Sequence, residues 1–211
     1  LVHKDIFLSL SHMPVTDEAF SFVEKQLINS NSNKMKQSAL VYFAQKKESR
    51  AKKWIDQYSD TTDPKLRLAV LYLAARLHDQ GAKDSIIALL MDNPSKSDQG
   101  VLLRSLAELV SPDEFQEAIK RCEINPTSKK YYEALWLSEY RNATSAKKAE
   151  AARKLLQSEY LWDRREAVQY LISRNRVDIL EPFLLADPRV ELPYMVEVQE
   201  SHVGQLVVLE A

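Results

Sequence analysis

The chain has 211 residues and a net charge of −1, with 45% hydrophobic and 28% charged residues. That is enough apolar material for one large domain or two small ones, and too much for a disordered chain. Glycine is the outlier: three residues, where an average domain of this length holds about fifteen, which argues against glycine-dependent phosphate loops and hairpin-rich β folds. The single cysteine, Cys122, excludes an intrachain disulfide framework and a multi-cysteine zinc site.

The chain opens Leu1-Val2-His3-Lys4, and His3, Lys4 and Asp5 interrupt the apolar character that a signal peptide requires. It reads as a processed or excised sequence, with a soluble, cytoplasmic setting expected and an upstream export signal left open. Amphipathic text predicts helices over residues 17–27, 34–43 and 49–58. Residues 66–75 are apolar on most sides, as in a helix buried between neighbours, and 83–91 form a shorter helix after Gly81. The longest apolar helical stretch, 66–77, contains Arg67 and Arg76 and is too short to span a membrane. A helix over 101–110 leads into Ser111-Pro112-Asp113-Glu114, a capping box with proline at the first helical position. Residues 131–140 pair with 146–156, and 164–172 with 177–185. Beyond Pro188 the text alternates and becomes β-branched, which predicts a cap helix or extended segment over 190–200 and a strand over 203–209.

A recurring mark organises these helices. Asp63-Pro64, Asn93-Pro94, Asn125-Pro126 and Asp187-Pro188 stand 30, 32 and 62 residues apart, the last interval being two periods of 31 with a member missing near Gln157. Helices joined by linkers of a few residues bury their apolar faces by stacking pair on pair. The expected fold is therefore all-α: an α-solenoid of about six antiparallel helix pairs in a right-handed superhelix. Residues 1–189 form this repeat domain, and 190–211 a C-terminal cap or extended segment leading toward a further domain.

Thr62-Asp63-Pro64-Lys65-Leu66-Arg67 with Ala69, Asp163-Arg164-Arg165-Glu166-Ala167, and the looser copy over 98–107 with Arg104 three before Ala107 carry a family pattern. The sequence resembles HEAT-like helical repeats, in which an Asp-Pro turn precedes a second helix opening with an apolar residue, an arginine and a small residue. The resemblance covers residues 49–188; Val70 stands where the small residue is expected, and the copy at Asp163 lacks the proline. A tetratricopeptide array fits less well, because glycines 81, 100 and 204 do not sit inside a first helix at the required position. The resemblance implies a curved surface presented to a protein; some HEAT-like proteins are instead DNA-repair glycosylases, lyases or hydroxylases, so the fold alone does not set the function.

Enzyme motifs are missing. No HExxH, His-Glu dipeptide, GxGxxG, GxxxxGK or GxSxG occurs, and His3, His12, His78 and His202 are far apart. No cofactor and no metal are expected. Ser49-Arg50-Ala51-Lys52 matches SxxK without its companion triplets and reads as a helix start. Cys122, after Lys120-Arg121, reads as a half-buried structural thiol, and Asn142-Ala143-Thr144 as a turn.

Charge is segregated. Residues 31–60 hold seven Lys/Arg against three acids, 120–165 eleven against six, and 177–211 one against seven. The first basic cluster is Lys46, Lys47, Arg50, Lys52 and Lys53 beside Trp54. The second runs from Lys129 and Lys130, beside Tyr131 and Tyr132, through Lys147, Lys148, Arg153 and Lys154 to Trp162, Asp163, Arg164 and Arg165. Trp54, Tyr132 and Trp136 fall at positions expected to pack in the core. The expected function is a non-enzymatic protein-binding scaffold or adaptor using Lys129, Lys130, Lys147, Lys148 and Arg153. The alternative is a nucleic-acid surface built from Lys46, Lys47, Arg50, Lys52, Lys53, Trp162, Asp163 and Arg164, with Asp163 the local acid for base excision or, equally, the repeat's turn aspartate.

Overall fold

The computed structural model describes residues 15–186. Eleven α-helices lie among them, with no strand: α1 (Asp17–Asn29), α2 (Asn33–Lys46), α3 (Lys53–Tyr58), α4 (Pro64–Arg76), α5 (Lys83–Met91), α6 (Lys96–Leu109), α7 (Pro112–Arg121), α8 (Lys129–Asn142), α9 (Lys148–Leu155), α10 (Leu161–Ser173) and α11 (Val177–Ala186). Single 3₁₀ turns, Ser49–Lys52 and Gln80–Ala82, lead into α3 and α5. No helix among the described residues is long and apolar enough to cross a membrane. The segment expected over 190–211 lies outside the described residues.

The even-numbered helices begin at residues 33, 64, 96, 129 and 161. Their starts share one local chemistry. Ser32, Asp63, Ser95 and Ser128 accept hydrogen bonds from the amides of Met35, Leu66, Asp98 and Tyr131, satisfying donors that the first turn leaves open. Asp63-Pro64, Asn93-Pro94 and Asn125-Pro126 fall at or just ahead of the starts of α4, α6 and α8, and Asp187-Pro188 lies outside the described residues. The mark missing near Gln157 belongs to α10, which begins after Tyr160 without a side-chain cap. At α7 the expected capping box is complete.

Helix ends account for the scarcity of glycine. Lys47, His78, Glu123 and Asn175 take left-handed φ values of 50°, 57°, 53° and 53°. Beside each, the chain closes with a pair of bonds, as where Lys47 N–H donates to Ala44 C=O and Glu48 N–H to Phe43 C=O. The same pairing recurs at His78, Glu123 and Asn175, which is the Schellman closure usually built on glycine. An L-residue in this region costs about 1–2 kcal/mol. Turns can therefore be tight in a chain almost without glycine.

The chain divides into two compact units with the boundary inside α8. In the unit described over residues 15–138, α2 packs on α4, α4 on α6, and α2, α4 and α6 each on the odd-numbered helix before it. Tyr42, Phe43, Leu73, Leu102, Leu106 and Phe115 fill its core. Polar ties join consecutive even-numbered helices near their C-terminal ends. Arg76 Nε donates to the Ala44 carbonyl at 3.3 Å, and its guanidinium pairs with the buried Glu108 carboxylate. Ser138 Oγ donates to the Val110 carbonyl at 2.7 Å. In the unit described over residues 139–186, α10 packs against α9 and α11, and Ala151, Ala152, Leu155, Ala167 and Leu171 are buried. Arg141 is paired with Glu166, and the Tyr140 and Tyr170 rings meet edge-on at 5.9 Å.

Candidate protein-interaction surface

The first basic cluster straddles the turn between α2 and α3. Lys46 closes α2 and Lys47 is its left-handed cap. Arg50 reaches both Glu48 and Asp17 at 2.8 Å, and its guanidinium holds the Glu48 carboxyl below the usual range. Lys53 pairs with Glu24 at 2.7 Å and lies 5.0 Å from the Trp54 ring centre. Trp54 is buried, as its helix position predicts, so its ring has no face for stacking on a base. Lys52 is exposed.

The second cluster is distributed over three helices. Lys129 and Lys130 open α8, and Lys130 Nζ donates to the Lys96 carbonyl at the start of α6. Behind them the rings of Phe115 and Tyr131 stand 5.8 Å apart, and Tyr132 and Trp136 6.5 Å apart. Tyr132 departs from the core expectation: it is 43% exposed, whereas the neighbouring Tyr131 is buried and the two rings meet edge-on at 5.4 Å.

Lys147 precedes α9 and Lys148 opens it. Lys148 Nζ lies 4.6 Å from the Tyr140 ring centre and 6.0 Å from that of Tyr170; burial, reinforced by Arg141, lowers its pKa. Arg153 pairs with Glu150 and Lys154 with Glu139.

The acid of the nucleic-acid alternative is not displayed. Asp163 is buried in the first turn of α10 and accepts a hydrogen bond from Ser158 Oγ at 3.2 Å. Arg164 donates to the Ser158 carbonyl at 2.7 Å, and Arg165 lies 5.6 Å from the Trp162 ring centre. These contacts fasten the start of α10, which lacks a side-chain cap of its own.

Cys122 ends α7 half-buried, and burial raises its thiol pKa against the smaller influence of Arg121. His78 Nδ1 lies 3.3 Å from the Glu108 carbonyl. Among the described residues no group of His, Cys, Asp and Glu is arranged to hold a metal.

Charge clustering along the sequence overlooked Lys34, Lys65 and Lys96. They sit in the first turns of α2, α4 and α6, and all three are exposed. The signal was their recurrence at intervals of 31 residues, in step with the helix starts, which a scan for dense basic runs cannot register.

The chain matches no protein-family model, no curated protein and no solved structure.

Proposed function

We propose that the chain is a HEAT-like helical repeat protein, a right-handed array of about six helix pairs, serving as a non-enzymatic protein-binding scaffold or adaptor. The observation that carries this reading is the regular recurrence of the even-numbered helix starts, each of the first four with its own cap, together with polar ties that link one of these helices to the next. An element that meets its successor in the same way each time builds an extended surface rather than a closed pocket. The rival, a nucleic-acid surface, is less favoured. Arg50, Lys53 and Arg164 are engaged within the chain, Trp54 is buried, and Asp163 holds a helix start.

Affinity capture from source lysate, read by mass spectrometry, tests the scaffold reading. A reproducible partner that is lost in the Lys129→Glu/Lys130→Glu variant is expected; turnover on a substrate panel overturns it. Solution scattering tests the array. A compact chain of this length has a radius of gyration of ~17 Å, and that value with a symmetric distance distribution counts against it.

A further inference from the structure

The first turns of the even-numbered helices in the unit over residues 15–138 have the wrong charge for helix stability. The positive end of the helix dipole favours acids there, and the odd-numbered helices comply: Asp17 and Glu18 in α1, Asp56 in α3, Asp84 in α5, Asp113 and Glu114 in α7. The first turns of α2, α4 and α8 contain no acid, and that of α6 contains only Asp98. In their place stand Lys34, Lys65, Arg67, Lys96, Lys129 and Lys130.

These starts lie side by side. Asn33 Nδ2 donates to Asp63 at 2.8 Å, Lys65 Nζ to Asp98 at 2.5 Å, and Lys130 Nζ to the Lys96 carbonyl, so each helix start touches the next. Both carboxylates within the row are occupied. Asp63 caps α4 and takes the Asn33 amide, and Asp98 takes Lys65. The first-turn amides are served by Ser32, Asp63, Ser95 and Ser128. What the row offers a ligand is therefore the exposed charge of Lys34, Arg67 and Lys96, with Lys65 shared with Asp98, rather than bare helix ends.

We propose that this row is the docking site for an extended acidic peptide segment of a partner protein. This deepens the scaffold reading and rests on it. Packed helices stand 8–10 Å apart, so the row from α2 to α8 measures about 24–30 Å, a length that an extended peptide covers in about eight residues. One acidic side chain every third residue meets one helix start after another. A nucleic acid fits less well. The first turns of α2, α4 and α6 contain no aromatic ring on which a base stacks, so a strand laid along the four starts meets an exposed ring at Tyr132 of α8 alone.

The test is fluorescence anisotropy with a labelled ten-residue glutamate peptide and, in parallel, a ten-nucleotide oligothymidine. Three proteins are compared: the parent, the row variant Lys34→Gln/Lys65→Gln/Lys96→Gln, and the off-row variant Lys25→Gln/Lys52→Gln/Lys120→Gln, which loses the same charge from exposed sites elsewhere. Thermal unfolding verifies that all three fold. The parent binds the glutamate peptide at ~50 mM salt and loses at least about tenfold in affinity by ~300 mM, as exposed charges are screened. The row variant loses about tenfold or more at ~50 mM salt, and the off-row variant stays within about twofold.

Absence of peptide binding at low salt overturns the proposal. So does equal loss in the two variants, which is an effect of net charge alone, or tighter binding of the oligothymidine than of the peptide. A natural partner captured through Lys129 and Lys130 while the glutamate peptide fails to bind removes this inference and leaves the scaffold reading standing. Failure to capture any partner removes the scaffold reading itself.

Discussion

The two ends of α4 and α6 obey opposite rules. At the C-terminal ends of α4 and α6 charge is buried and matched: the Arg76 guanidinium and the Glu108 carboxylate are both almost fully enclosed and bonded to each other. At their N-terminal ends charge is exposed and mostly of one sign, against the preference of the helix dipole. The first arrangement contributes to holding neighbouring helices together. The second contributes little to the fold and is better understood as a surface for something else. Within one helix, then, stability and recognition are separated along the axis.

The strongest way to break this comparison is at the buried end. Glu108→Ala leaves the Arg76 charge enclosed without that carboxylate and should cost about 3–5 kcal/mol. Arg76→Met/Glu108→Leu removes both charges and should recover most of the loss. Urea unfolding of the three proteins measures it, and a single variant as stable as the parent would refute the structural role given to this end.

In the second unit Ala167→Glu should destabilise by several kcal/mol, since Ala167 is completely enclosed on α10 and a longer, charged side chain overpacks the site. A melting temperature unchanged from the parent would show that α10 does not press this face against its neighbours. Arg165 does not serve as the silent control that a solvated position would provide, because it is half-buried against Trp162.

A smaller loss, about 1 kcal/mol, is expected for Ser111→Ala, which removes the capping hydroxyl of α7. The effect should depend on pH. The amide and hydroxyl of Ser111, and then Lys83, hold the Glu114 carboxyl down at about 2. A folded pKa below the ordinary value stabilises the fold above about pH 4.3, and the contribution is lost as pH falls toward 2. Melting temperatures of the parent and Ser111→Ala, followed from neutral pH into acid, should converge; a constant gap would detach the cap from Glu114.

The smallest effect sharpens the comparison most. Lys34→Glu puts an acid in the first turn of α2, where the helix dipole favours it, and should stabilise by about 0.3–1 kcal/mol while weakening the glutamate peptide. A gain in stability coupled to a loss of binding is the signature of a position kept for recognition. Destabilisation by this substitution would mean that the lysine row serves the fold.

How far the sequence could be read follows from the range of each interaction. The helices, the capping box at Ser111 and the marks ahead of the even-numbered helices were legible because caps, prolines and apolar spacing act within one turn of chain. The scarcity of glycine pointed away from β structure, and no strand lies among the described residues. It did not disclose that Lys47, His78, Glu123 and Asn175 would take over the left-handed turns, since a residue's tolerance of positive φ is decided by how its helix end is closed.

Tertiary structure alone decided the rest. Dense basic runs in the sequence became ion pairs once Asp17, Glu24 and Glu139 were brought beside Arg50, Lys53 and Lys154. Lysines isolated in the sequence became a row once α2, α4, α6 and α8 stood side by side. Local chemistry fixes where a helix begins and ends, whereas charge on a surface belongs to whichever side chains the packing makes neighbours.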